Sequence, residues 1–198
     1  MTRTIIGAII LGILVGMGFV PESALPMVSE ITGIILILFI FSIGIDLGIN
    51  KYIFKDIFGN DLIIFLIPLM TIIGSLLGGL ICGLIFQIPA NKSLSIASGF
   101  GWYSLSGAIL TNIDGPEIGT IAFLSNIFRE LFSVVTIPFI PKIMNKYTAI
   151  APAGATSMDT TLPIIAEVTS KDMVVYAIFN GALLSFLVPY FVPFFYYL

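Results

Sequence analysis

One acidic residue, Asp159, lies at the centre of a polar segment in an otherwise strongly apolar chain. Pro152 and Pro163 flank it, so a continuous helix through the segment is not expected. An ionised carboxylate facing lipid is costly, and Asp159 is therefore predicted to face a cavity or a partner. There it can bind an ammonium group, a sodium ion or a proton; alternatively, it caps the half-helix that follows. The hydroxyl residues around it are Thr156, Ser157, Thr160 and Thr161.

A second charged site, Arg129–Glu130, falls halfway along an apolar stretch. Asn126 precedes the pair and Ser133 follows it at spacings of three and four residues, which places all four on one broad helix face. A polar face of this kind is not expected to contact acyl chains. Two interpretations stay open: a buried ion pair that stabilises the bundle, or a site where Glu130 carries a cation or proton while Arg129 binds a carboxylate.

Aromatic and hydroxyl residues interrupt another stretch, SLSIASGFGWYSLSGAILTN (93–112), which is rich in glycine and serine. Trp102 and Tyr103 lie inside this segment rather than at its ends, where aromatic residues usually mark a membrane interface. They can contact the aliphatic chain or ammonium group of a substrate, or simply pack. The remaining candidates for the binding site are Ser104 and Ser106 in this segment and Asn180 in the last apolar stretch.

The composition limits the class of protein. Of the 198 residues, 58% are hydrophobic and 10% are charged, and the mean hydropathy is +1.13, so part of the surface must face lipid. The net charge of −3 argues against nucleic acid as a partner. The chain has no histidine and a single cysteine, Cys82. With no nucleophile–base pair or metal-ligand cluster visible, neither an enzyme nor a cofactor is predicted.

Five stretches are long and apolar enough to cross a bilayer: about 4–20, 31–49, 62–86, 118–140 and 173–197. Segments 93–112 and 148–168 are the two broken elements. The predicted fold is an all-α integral membrane protein, a single transmembrane domain over 1–198 with about five spans and two re-entrant or broken helical segments. Interrupted segments that meet near the midplane of a membrane are typical of secondary transporters.

The basic residues predict an orientation, because cytoplasmic loops carry an excess of Lys and Arg. Placing Arg3 and the later lysine pairs in the cytoplasm puts the N-terminus inside and the C-terminus outside, with the two broken segments entering from opposite faces. Lys92 then falls on the outer side. In the competing topology both segments cross completely. The competing topology keeps both chain ends where they are but moves Lys142 and Lys146 outside, whereas Lys51 and Lys55 are cytoplasmic in both.

Three runs, ASGFGWYSLSG (97–107), NIFREL (126–131) and GATSMDTTLP (154–163), closely resemble the lysine exporter LysO family in sequence, order and spacing. The resemblance runs from roughly residue 31 to the C-terminus. It implies an inner-membrane exporter of L-lysine and its analogue thialysine in a prokaryote, working by exchange with protons. Asp159 would be the essential intramembrane acid, with Arg129 and Glu130 lining the same site.

The resemblance also implies a partner. Fused members of the family are roughly a hundred residues longer at the N-terminus, so this chain resembles the larger half of a split exporter whose small membrane subunit supplies further spans. A homo-oligomer is the other assembly considered. Two other functions stay open: a sodium-coupled organic-anion symporter, with sodium as the coupling ion, and a passive, holin-like channel. A membrane scaffold without transport activity is a third alternative.

Overall fold

A computed structural model of the protein describes residues 62–198 and, before them, only isolated positions (11, 12, 14–16, 18, 20–24, 26, 27, 31, 34, 38, 41 and 45). The chain divides into two compact units, Met1–Asp56 and Ile57–Leu198. In the first unit, a short 3-10 helix covers Glu22–Ala24. The predicted spans 4–20 and 31–49 fall among the sparsely described positions and stay predictions.

Within residues 62–198 all regular structure is helical. The α-helices are α1 (Ile63–Phe86), α2 (Ala90–Ala97), α3 (Tyr103–Asp114), α4 (Pro116–Thr136), α5 (Ile140–Ile143), α6 (Leu162–Val168) and α7 (Met173–Tyr196), with a 3-10 helix over Gly154–Met158 between α5 and α6.

Three of these helices, α1, α4 and α7, are long and apolar enough to cross a membrane. Their 24, 21 and 24 residues correspond to lengths of about 30 to 36 Å at 1.5 Å per residue. They match the predicted spans 62–86, 118–140 and 173–197. Helix α4 ends at Thr136, four residues earlier than predicted, because the nearby Pro138 and Pro141 cannot donate backbone hydrogen bonds.

The first broken segment folds back on itself. Helices α2 and α3 flank a break in which Phe100 and Gly101 have φ angles of 47° and 101°. Near the far ends of the two helices, Lys92 Nζ lies 2.6 Å from Asp114 Oδ2. Residues 90–114 therefore begin and end at the same place, and we call them hairpin 1.

The second broken segment is closed in the same way. The 3-10 helix and α6 lie between Lys146 and Asp172, whose Nζ and Oδ2 atoms are 2.7 Å apart. We call residues 146–172 hairpin 2. The ends of hairpin 2 meet at Asp172, next to the first residue of α7. Hairpin 1 contacts the other end of α7, where the Asn91 side chain donates to the carbonyl of the last residue, Tyr196. The two hairpins thus approach from opposite ends of α7.

The breaks of the two hairpins meet in the interior. Gly154, which has a φ of 62°, lies so close to Phe100 that a Cβ atom at this position would overlap the Phe100 carbonyl oxygen. Only glycine satisfies both conditions. The fully buried Phe100 side chain belongs to a core that continues along α7 through Leu184, Val188 and Val192.

Candidate functional site

A polar cavity of about 210 Å³ lies where the two hairpins meet. It is smaller than the pockets of drug-sized ligands, which hold about 300–1,000 Å³, so its size suits a small metabolite. Both breaks, α4 and α7 contribute to its walls. The lining residues are Gly101, Trp102, Tyr103, Ser104, Glu130, Ala155, Thr156, Met158, Asp159, Thr160 and Ser185.

Two carboxylates, Asp159 and Glu130, face this cavity, and no Lys or Arg is among the residues that line it. Asp159 is partly buried, and its Oδ1 atom accepts the backbone N–H of Thr160 at 2.6 Å. The Thr160 hydroxyl lies 3.4 Å from the same oxygen and also contacts the Glu130 side chain. The cavity therefore carries acidic charge without a compensating cation from its own walls, which favours a cationic ligand.

Another part of the cavity wall is formed by the first turn of α3. Trp102, Tyr103 and Ser104 all line the cavity, and the Tyr103 ring packs edge-on against Phe123 of α4 with 5.4 Å between ring centroids. The aromatic faces can attract an ammonium group. The backbone amides at this helix N-terminus carry partial positive charge, which suits a carboxylate.

Comparison with known proteins assigns the chain to a family. The family model described as "Lysine exporter LysO" matches residues 6–196. The chain belongs to the lysine exporter LysO family. The match begins earlier than residue 31, where the resemblance in the sequence becomes evident. No solved structure matches the chain.

Two relatives in this family differ in length. The chain is 39% identical over 189 residues to the lysine exporter LysO of Escherichia coli strain K12 and covers 96% of itself but 62% of that protein. It is 36% identical over 193 residues to a putative lysine exporter of Haemophilus influenzae, with 96% of each chain covered. The chain therefore spans less than two thirds of the first relative and nearly all of the second.

Seven of the twelve predicted site residues line the cavity of this family member. They come from both broken segments and from α4: Trp102, Tyr103, Ser104, Glu130, Thr156, Asp159 and Thr160. The five others, Ser106, Asn126, Arg129, Ser157 and Asn180, are not among its lining residues. Their polar atoms instead hold the backbone around the two breaks, and direct substrate binding by any of the twelve stays a prediction.

Asn126 of α4 is bonded to hairpin 1. Its Oδ1 atom accepts the Gly101 N–H at 2.7 Å, and its Nδ2 atom donates to the Ile96 carbonyl and to the Ser106 hydroxyl, both at 3.3 Å. The side chain thus reaches α2, the break and α3 at once. Ser106 in turn donates to the Trp102 carbonyl at 2.8 Å.

Arg129 extends toward hairpin 2 and α1. Its Nε atom donates to the Pro152 carbonyl at 3.0 Å, and its two terminal nitrogens donate to the Ser75 hydroxyl at 2.7 Å and the Ala151 carbonyl at 3.3 Å. All three guanidinium nitrogens therefore have a protein acceptor, and carboxylate binding by Arg129 stays a prediction. The acceptors, however, are carbonyls and a hydroxyl rather than the predicted ion-pair partner Glu130.

Asn180 and Ser157 bond to each other between α7 and hairpin 2. The fully buried Asn180 donates from Nδ2 to the Gly154 carbonyl and the Ser157 hydroxyl, both at 3.0 Å. The single hydrogen of the Ser157 hydroxyl is shared between the Gly154 and Ala177 carbonyls, each 2.8 Å from Oγ. These bonds tie the 3-10 helix to α7 and leave the Asn180 Oδ1 atom without a hydrogen-bond partner among the described residues.

Four lining residues were not predicted from the sequence: Gly101, Ala155, Met158 and Ser185. The first three lie within the broken segments but have no polar side chain that would attract notice. Ser185 carries the one available signal, a hydroxyl group inside the apolar helix α7. It reaches the cavity because α7 packs against both hairpins.

A larger space of about 550 Å³ is bounded by α1, α2 and α4, and its walls are mostly apolar. Gly78, Gly79 and Cys82 line one side of it, and Arg129 lies at its edge with its nitrogens already bonded. A charged metabolite would have no free polar partner there among these residues. The polar cavity is therefore the better candidate site.

The closing ion pairs are electrostatically favourable at neutral pH. The hydrogen bond from Lys92 lowers the pKa of Asp114, and the same bond raises the pKa of Lys92. At the other end, the bond to Asp172 raises the pKa of Lys146. Both partners of each pair therefore stay charged at neutral pH. The pairs join the first and last parts of hairpin 1 and of hairpin 2.

Proposed function

We propose that this chain is the core of an L-lysine exporter that exchanges lysine for protons across the inner membrane of a prokaryote. The observation that carries the proposal is the cavity at the junction of the two hairpins, where Asp159 and Glu130 face a space that no Lys or Arg of the described residues lines. Lysine brings two ammonium groups and one carboxylate. Membership of the lysine exporter family supports this substrate, and its analogue thialysine has the same charged groups.

The charges of the cavity suggest how binding and exchange are linked. Two nearby carboxylates in a weakly solvated site repel each other, so holding a cation there is favourable. The ammonium groups of lysine supply that cation on one side of the membrane. After lysine leaves, a proton taken up by one carboxylate replaces it, and a proton released on the inner side allows the next lysine to bind.

The α-carboxylate of lysine needs a separate partner. The first-turn amides of α3, beside Trp102 and Ser104, offer partial positive charge at another part of the cavity wall. In this arrangement the aliphatic part of lysine lies against the Trp102 and Tyr103 rings. A monoamine of the same length would lose the carboxylate contact, and a neutral amino acid would lose an ammonium contact.

The membrane arrangement is proposed from the same geometry. With α7 crossing the membrane, the two hairpins enter from opposite faces and meet inside, as re-entrant elements do in several transporter folds. The charge pattern places hairpin 1 on the outer side. Lys92, an exception to the positive-inside rule, is paired with Asp114, which reduces the cost of a lysine on that side.

A partner subunit stays part of the proposal. The Escherichia coli relative is longer than this chain, which covers 62% of it, and a separate small membrane protein would supply the difference. The Haemophilus influenzae relative is matched over 96% of its own length, and a homo-oligomer is the other assembly that we consider.

Flux measurements separate the alternatives. Proteoliposomes containing the chain, with and without a small neighbouring membrane protein, are loaded with radiolabelled lysine and given a pH gradient or a sodium gradient. Saturable efflux driven by an inward proton gradient is expected. Efflux driven by sodium at constant pH would favour the symporter, and non-saturable flux of unrelated solutes would favour a channel.

A further inference from the structure

Asn126 and Asn180, which do not line the cavity, occupy equivalent places relative to hairpin 1 and hairpin 2. Asn126 lies on α4, the long helix that follows hairpin 1, and Asn180 lies on α7, the long helix that follows hairpin 2. Each side chain is at most 3% exposed. Each bonds to the break of the hairpin that precedes its own helix in the sequence.

These amides bond to backbone groups at the two breaks, where the regular helical hydrogen-bond pattern is interrupted. In hairpin 1, Asn126 pairs the Gly101 N–H and the Ile96 carbonyl, on the two sides of the turn that leads to Trp102. In hairpin 2, Asn180 pairs the Gly154 carbonyl, at the start of the 3-10 turn that leads to Thr156 and Asp159.

Helix α4, which carries Asn126, and helix α7, which carries Asn180, each pack closely against the preceding hairpin. A Cβ atom added at Gly99 would lie 2.5 Å from the Asn126 Nδ2 atom. A Cβ atom added at Gly181, next to Asn180, would lie 2.7 Å from the Ala155 carbonyl oxygen. The amides therefore have little room to adopt other positions, and a shift of either one must move the break that it holds.

We infer that Asn126 and Asn180 are paired positioning residues: each holds one break, and together they set the distance across the cavity between the Trp102 wall and the Asp159 wall. The two halves are linked because the Ala155 N–H donates to the Phe100 carbonyl at 2.8 Å. The inference deepens the proposed transport function, since it concerns the same cavity, but its main test does not require lysine.

Trp102 makes this test direct, because it is the single tryptophan of the chain and lines the cavity. Its fluorescence is measured in the full-length protein reconstituted in lipid vesicles, for the native chain, Asn126→Ala and Asn180→Ala. Both variants are expected to shift the emission maximum and change quenching by acrylamide. The shift in Asn180→Ala is the decisive one, because among the described residues the Asn180 side chain bonds to hairpin 2 and not to hairpin 1, which carries Trp102.

Ser133→Ala is the matched control. Ser133 is a buried polar residue of α4 whose hydroxyl donates within its own helix, to the Glu130 carbonyl at 2.7 Å. Its replacement is expected to leave the Trp102 emission unchanged. If Asn180→Ala is folded by circular dichroism and shows the native Trp102 emission and quenching, the two halves are not linked and the inference is wrong.

A transport measurement adds a second readout. Loss of one buried hydrogen bond that orients a wall of the site is expected to raise the KM for lysine about tenfold, with a smaller effect on the maximal rate. Absence of lysine transport by the native chain would reject the proposed function while leaving the fluorescence result valid.

Aspartate variants, which nearly keep the side-chain volume, separate the loss of a hydrogen bond from a loss of folding. Asn126→Asp keeps the side-chain volume and the acceptor for the Gly101 N–H, so it is expected to disturb Trp102 less than Asn126→Ala does. Asn180→Asp loses both donated bonds and is expected to match Asn180→Ala. If the alanine and aspartate variants of both positions fail to fold while Ser133→Ala folds, the asparagines serve stability alone and the inference is rejected.

Discussion

The backbone N–H of Ala155 donates to the carbonyl oxygen of Phe100 at 2.8 Å, so the two broken segments are joined directly beside the polar cavity. The residues on either side of this bond, Gly101 and Trp102 in one segment and Thr156 in the other, line the cavity. Irregular backbone at membrane depth is tolerated where it is buried in protein or lines a polar space. Both conditions hold here.

Asp159 provides the first test of the site. Replacing it with Asn keeps the shape of the side chain but removes the charge that we propose binds an ammonium group or a proton. Lysine–proton exchange in proteoliposomes is expected to fall to background. The matched control is Glu167→Gln, an exposed acid later in hairpin 2, which should exchange at the native rate. Native exchange by Asp159→Asn would remove this residue from the mechanism.

Glu130 is expected to be necessary as well. In the proposed exchange the site needs two carboxylates, so that one can take up or release a proton while the other holds an ammonium group of lysine. Glu130→Gln should reduce proton-driven lysine efflux by about tenfold or more, equivalent to about 1.4 kcal/mol or more in the limiting step. Efflux is measured across a range of external pH. Glu117→Gln, an exposed acid in the first turn of the same helix, is the control. A native pH profile in Glu130→Gln would show that this carboxylate is not the exchanging group.

Gly154 tests the junction itself. An added methyl group there would overlap the Phe100 carbonyl, at a φ angle of 62° that L-residues rarely adopt. Gly154→Ala is expected to lower the stability by about 1–3 kcal/mol, seen as a lower midpoint of thermal unfolding in detergent.

The control for this glycine is Gly78→Ala in helix α1, where a Cβ atom would meet no atom of the described residues within 4 Å. Alanine favours a helix over glycine by about 1 kcal/mol, so this variant should unfold at the native temperature or slightly above. Equal midpoints for the two variants would argue against a close backbone junction at Gly154.

The re-entrant arrangement predicts which residues share a membrane face. In a Cys82→Ala background, Lys92→Cys and Asp114→Cys should both react with a membrane-impermeant thiol reagent added outside intact cells. Lys146→Cys and Asp172→Cys should react only after the membrane is opened. If Lys92→Cys and Asp114→Cys label from opposite sides, segment 90–114 crosses the membrane completely.

Much of the architecture could be predicted from the sequence because it depends on local chemistry. The apolar runs of α1, α4 and α7 are visible as composition, and the glycines and prolines near Gly101 and Gly154 mark the breaks. The cost of a charge in lipid singled out Asp159 and Glu130 without any knowledge of the fold. Both now line one cavity.

Only the tertiary structure decided what the uncharged polar residues do. Asn126 and Asn180 were indistinguishable from Ser104 as candidates, since helical spacing places a residue on a face but does not say what lies opposite that face. The partner opposite depends on how segments distant in the sequence cross, as Phe100 and Ala155 do. That crossing places the Asn126 and Asn180 side chains against the backbone of the breaks and brings Ser185 of α7 to the cavity. The sequence alone determined where charge is buried, whereas packing determined which groups reach it.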